Sequence, residues 1–154
     1  MCLFHASDDS RLHHKSVNPY RGSTKTFPDE THSAASARAL VNRYLDAFYL
    51  GDFDTARLVL AEDFSFRGPF IEVTGLDAFL ASADGLRRIC NGHRLLHQWD
   101  EEDQVSSVYE VQIETAVAAG KVTMSEWHIV RNDQLVSGLV LFDSAAFRAL
   151  VSAA

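Results

Sequence analysis

Residues 42–70, NRYLDAFYLGDFDTARLVLAEDFSFRGPF, decide the fold. Tyr44, Leu45 and Phe48 continue a series begun at Ala37, Leu40 and Val41, and this spacing makes one broad apolar helical face. Gly51 suits the residue just past a helix end, and Asp52 suits the cap of the next helix. That second helix, over about residues 53–60, is expected to bury Phe53, Ala56, Val59 and Leu60, with Ala61-Glu62-Asp63 closing it. Phe64-Ser65-Phe66-Arg67 alternates apolar and polar, which predicts a short strand with Phe64 and Phe66 on one face. Gly68-Pro69 then turns the chain.

Upstream, Ser33 and Ser36 are N-cap candidates for the first helix. Residues 1–33 are polar, carry Pro19 and Pro28, and show neither structural period. They read as a tail, disordered or docked on the body, ahead of a domain at 34–154. Four of the seven histidines lie in this tail (His5, His13, His14 and His32), without metal-ligand spacing. Downstream, residues 71–74 form a short extended piece, and residues 76–90 a helix carrying Leu76, Phe79, Leu80 and Ala83. From His93 the period becomes two. Extended runs at 93–99, 105–115, 121–131 and 134–142 are separated by polar turns, and Asp143 and Ser144 cap a last helix at 145–151. Helices first and a meander of strands after them make the fold class α+β.

The chain has 154 residues and a formal charge of −7, all of it on the body, because the tail's charges cancel. An acidic body disfavours nucleic acid. No apolar run is long enough to span a membrane. Cys2 and Cys90 form no metal or redox motif, so a reducing, cytoplasmic setting is the expectation.

The aromatic helix, Gly51-Asp52, Ala61-Glu62-Asp63-Phe64, Gly68-Pro69, Gly75 and the closing Val140-Leu141-Phe142-Asp143 together resemble the nuclear transport factor 2-like superfamily. Within it they are most similar to the ketosteroid isomerase and SnoaL-like branch. The resemblance covers about residues 34–151. It implies a cone-shaped fold, a mostly antiparallel curved sheet around the N-terminal helices, and a deep apolar pocket. It also implies a cofactor-free cyclase, isomerase or hydratase/dehydratase acting on an apolar carbonyl compound, and a homodimer through the outer sheet face. The isomerase's oxyanion tyrosine matches Tyr44. Its general base falls on Gly68, so steroid isomerisation itself is not expected. Its second oxyanion donor falls at Glu126 or Trp127, and ungapped anchoring on Ile129-Val130-Arg131 favours Trp127.

Glu126 and His128 share a strand face about 6–7 Å apart and would make an acid–base pair if that face lines the pocket. If Trp127 faces inward instead, the pair lies outside; one register excludes the other. His93 and His97 are spaced HxxxH, but in a strand they sit roughly 13 Å apart, too far for one metal. His97 alone remains a general-base candidate if it faces the cavity. Residues 100–103 are acidic but lack the spacing of a calcium loop, so no metal site is expected. Candidate catalytic residues are therefore Tyr44, to polarise a carbonyl, and Glu126, His128 or His97, to move the proton. Candidate ligand-binding residues are Phe48, Phe66, Tyr109, Trp127, Val140 and Phe142. The alternative to an enzyme is a non-catalytic ligand-binding or dimerisation module.

Overall fold

A computed structural model describes residues 31–152. The element order is α1 (Thr31–Leu50), α2 (Phe53–Val59), β1 (Leu60–Gly68), β2 (Ile71–Thr74), α3 (Leu76–Arg87), β3 (Cys90–Glu101), β4 (Gln104–Glu114), β5 (Ala119–Arg131), β6 (Gln134–Phe142) and α4 (Ser144–Val151). The strands make one six-stranded sheet in the order β2-β1-β6-β5-β4-β3. All neighbours are antiparallel except β1 and β6. The sheet is curved and unclosed, and the helices pack against it, as an α+β fold of this class requires.

The end of α1 follows from Gly51. Its φ of 76° is open to glycine at little cost. Gly51 N donates to Phe48 O at 3.2 Å and Asp52 N to Ala47 O at 2.8 Å, so two otherwise orphaned carbonyls are satisfied. Asp52 then accepts from Thr55 N at 3.0 Å and starts α2. Helix α2 stops earlier than its sequence suggests. Leu60 is extended, pairs with the buried Leu135, and its carbonyl accepts from Gln134 Nε2 at 3.2 Å. Residues 61–63 therefore lie in β1 and do not close a helix. At the other end, α1 is already helical at Thr31, so Ser33 and Ser36 fall inside it. The tail expected over 1–33 lies, up to residue 30, outside the described residues, and Cys2, His5, His13 and His14 lie there with it.

The alternation predicted for β4 holds: Val105, Tyr109, Val111 and Ile113 are buried on one face. They meet Val41, Tyr44, Leu45 and Phe48 of α1 in a single core. Burying each such side chain contributes about 1.5–3 kcal/mol. The turn joining β5 to β6 is Asn132-Asp133, both at positive φ (50° and 59°), the geometry whose twist matches that of its flanking strands. Asp143 caps α4 by accepting from Ala145 N and Ala146 N at 2.9 and 3.0 Å. Cys90 is a free buried thiol, and burial pushes its pKa up to about 11. No helix among the described residues is long and apolar enough to cross a membrane.

Candidate functional site

The sheet's inner face and the helices enclose a cavity of about 330 Å³. Helix α1 contributes Tyr44, Phe48 and Tyr49, and α3 contributes Phe79, Ser82, Ala83 and Leu86. The sheet contributes Phe66, Tyr109, Met124, Glu126, Val140 and Phe142. Pro69, Phe70 and Ile71 around the β1–β2 turn, with Phe147 of α4, complete the wall. Phe79 organises the aromatic side of this wall, with ring centroids 4.8 Å from Phe66, 5.0 Å from Phe64 and 5.9 Å from Phe48. Phe70, Phe142 and Phe147 form a second group, 5.2–5.8 Å apart, and the Arg148 guanidinium lies 4.8 Å over Phe70.

Strand pairing decides which β5 side chains reach the cavity. Tyr109 is opposite Met124, Ser107 opposite Glu126, and Val105 opposite His128. Opposite residues in an antiparallel pair share a face. The buried face of β4 therefore carries Met124, Glu126 and His128 inward with it and turns Trp127 out. Glu126 is 3 % exposed and His128 0 %, whereas Trp127 is 51 % exposed. The placement of Trp127 in the pocket is thus corrected.

Glu126 is the sole carboxylate among the lining residues, which include no Lys, Arg or His. It sits at the end of a hydrogen-bonded series. The Tyr49 hydroxyl donates to Tyr109 Oη at 3.2 Å, and the Tyr109 hydroxyl donates to Glu126 Oε2. Glu126 Oε1 lies 3.1 Å from His128 Nε2, but the two are poorly aligned. Oε1 and both ring nitrogens of His128 are consequently buried with no aligned hydrogen-bond partner. Such groups cost stability and mark places where chemistry or a ligand is the compensation. The His128 ring meets the Tyr44 ring edge-on at 5.1 Å. Burial pushes the phenols of Tyr44, Tyr49 and Tyr109 well above the usual tyrosine range, and the nearby Glu126 charge adds to the effect. All three tyrosines therefore act as neutral O–H groups near neutral pH.

Of the residues singled out in the sequence, Tyr44, Phe48, Phe66, Tyr109, Glu126, Val140 and Phe142 line the cavity. His128 is behind Glu126 and off the cavity surface. His97 does not face the cavity. It is exposed and stacks on Trp99 at 5.6 Å. Simple alternation puts His93 and His97 on one face, but an irregularity between Leu95 and His97 reverses the parity: His93 pairs with the buried Val111 and His97 with the half-buried Val108. At Gly68, the position of the isomerase base, an added Cβ would lie 2.6 Å from Val140 Cγ1, so a side chain there requires Val140 to move. Tyr49, Met124, Ser82 and Phe147 escaped the sequence reading. Tyr49 follows Phe48 on the flank of the apolar face, and its ring lies tilted against His93 with centroids 5.0 Å apart. Among the described residues no His, Cys, Asp and Glu cluster is arranged to hold a metal.

Residues 41–137 match the SnoaL-like domain family. No curated protein matches the chain. Among solved structures, Bal32a from a soil-derived mobile gene cassette is similar with a TM-score of 0.70 at 19 % identity, over 77 % of this chain and 98 % of that one. A nuclear transport factor 2-like protein of unknown function from Burkholderia pseudomallei has a TM-score of 0.69 at 16 % identity, over 77 % and 98 %. An LEH-like epoxide hydrolase from M. tuberculosis has a TM-score of 0.68 at 15 % identity, over 78 % and 92 %. At these identities the likeness shows the fold alone.

Proposed function

The chain belongs to the SnoaL-like domain family, and from that premise we propose that it binds an apolar, carbonyl-bearing small molecule in the aromatic cavity and moves a proton on it. The observation that carries this reading is the placement of one carboxyl group, Glu126, in a largely aromatic and aliphatic wall that also includes Tyr44. In a dry cavity a neutral O–H aimed at a carbonyl stabilises charge developing on its oxygen. Tyr44 takes that role, and Glu126 removes or returns the proton. His128, 3.1 Å from Glu126, is the reserve proton site behind it. Isomerisation, cyclisation and hydration or dehydration all use this pair of functions. No cofactor enters the scheme.

A second reading, a binding or dimerisation module, draws on the outer sheet face. Trp99, Ser106, Trp127 and Leu139 lie in one row across four strands, with Trp99 58 % and Leu141 57 % exposed beside Trp127. We assign this apolar face to a homodimer contact, which is compatible with either reading, and place the protein in the cytoplasm.

Binding of a cyclic aryl ketone to wild type and Tyr44→Phe tests the function. The hydroxyl contributes roughly tenfold in affinity, and the bound ketone's carbonyl stretch is lowered only in wild type. Equal affinity and an unshifted stretch in both proteins would remove Tyr44 as the carbonyl partner.

A further inference from the structure

The cavity's hydrogens are almost all committed before any ligand arrives. The Tyr49 hydroxyl gives its proton to Tyr109, and Tyr109 gives its own to Glu126. Ser82 Oγ, at the cavity wall, donates to Phe79 O at 2.6 Å. Glu126 as a carboxylate only accepts. Among the described residues Tyr44 alone keeps a lining side-chain hydroxyl whose proton goes to no other protein group. The polar end of the cavity is therefore rich in acceptors and poor in donors. Its one carboxyl group is Glu126, and no Lys, Arg or His lies on the lining surface to balance an anion.

We propose that the cavity selects a neutral ligand that brings its own hydroxyl: one O–H donated to the Glu126 end of the cavity, and one acceptor oxygen taking the Tyr44 proton. The inference rests on the proposed function and narrows its substrate from any apolar carbonyl compound to a hydroxy-carbonyl compound. Carboxylates and other anions are turned away, because an anion would sit beside Glu126 with a single O–H to stabilise it. Acceptor-only ethers and esters leave the Glu126 carboxylate facing lone pairs, which is the costly arrangement for a buried acceptor.

Three flat probes of similar size separate these cases in the wild-type protein: 2-naphthol, 2-methoxynaphthalene and 2-naphthoate, each titrated calorimetrically. Apolar burial alone ranks the methyl ether first. Donor selection instead makes 2-naphthol bind roughly tenfold or more tighter than the ether, with the naphthoate weakest. In Glu126→Gln, whose amide both donates and accepts, the preference for naphthol over the ether falls toward unity. Because the wild-type ranking decides by itself, a variant that folds poorly does not block the test. An ether that binds as tightly as naphthol, or a naphthoate that binds tighter than either, overturns the donor rule while leaving the ligand cavity in place. Absence of binding by all three overturns the cavity as a ligand site, and the proposed function with it.

Discussion

Removing the Tyr109 hydroxyl tests the buried polar series most sharply. In Tyr109→Phe the ring and its packing remain, while Glu126 Oε2 loses its donor and the Tyr49 hydroxyl loses its acceptor. Tyr109 is 1 % exposed and Glu126 3 %, so water does not replace the lost bonds. A bond to a charged acceptor contributes about 1.5–3 kcal/mol and a neutral one about 0.5–1.5 kcal/mol. Tyr109→Phe is therefore expected to cost about 2–4 kcal/mol. Part of the Tyr49 loss is softened because its hydroxyl can turn to Met124 Sδ, 3.6 Å away. Tyr49→Phe removes only the neutral bond and should cost about 0.5–1.5 kcal/mol. The double variant should cost less than the two singles together, with a coupling of about 1 kcal/mol, since both break the same bond. Urea unfolding of the four proteins, read from midpoints at constant slope, gives these values. A Tyr109→Phe cost below about 0.5 kcal/mol, or strict additivity, would refute the series as a connected unit.

Other substitutions probe the frame around it. Gly51→Ala forces a Cβ into a left-handed conformation and to 2.8 Å from the Arg87 side chain. It should destabilise by about 1–2 kcal/mol in thermal unfolding, with the arginine moving aside. Trp127→Glu, on the exposed outer face, should leave the unfolding midpoint nearly unchanged and convert a dimer to a monomer in light scattering; a wild-type monomer would contradict the dimer assignment. His93 carries a pH prediction. Burial lowers its pKa from the ordinary 6.5, against an opposing pull from Asp46 and Glu126. Below pH 6.5 the unfolded chain takes up a proton that the folded chain resists, so this group's contribution to stability falls as pH drops through that value and levels off below the folded pKa. Unfolding midpoints between pH 5 and 8 should show this slope in wild type and a shallower one in His93→Asn.

The helix ends, the last turn and the closing cap could be read from the sequence because they depend on local chemistry. Gly51-Asp52, Asn132-Asp133 and Asp143 each satisfy backbone groups within a few residues. The face of β5 could not, because its apolar residues fall on both faces: Val122, Met124 and Val130 on one, Trp127 and Ile129 on the other. Trp127 is the largest of them, and the resemblance drew the pocket toward it. The clue lay one strand earlier. The inward set of β4 is unambiguous, and carrying its parity through the hairpin pairs Val111 with Val122 and brings Glu126 inside. The side on which His97 lies is not legible either, because alternation carries no sign of the irregularity that reverses β3 between Leu95 and His97. The end of α2 is not legible in the sequence because Leu60 is apolar in either state, and only its pairing with Leu135 in β6 makes it extended.

Exchange of the α-hydrogens of a bound cyclic hydroxy-ketone in heavy water, followed by proton NMR, addresses Glu126 as the proton-moving group most directly. Wild type should speed the exchange over solvent, and Glu126→Gln, folded to the same extent by circular dichroism, should lose roughly 10²–10⁴-fold of that rate. A ketone that binds in the cavity and exchanges equally fast with Glu126→Gln and wild type would contradict it.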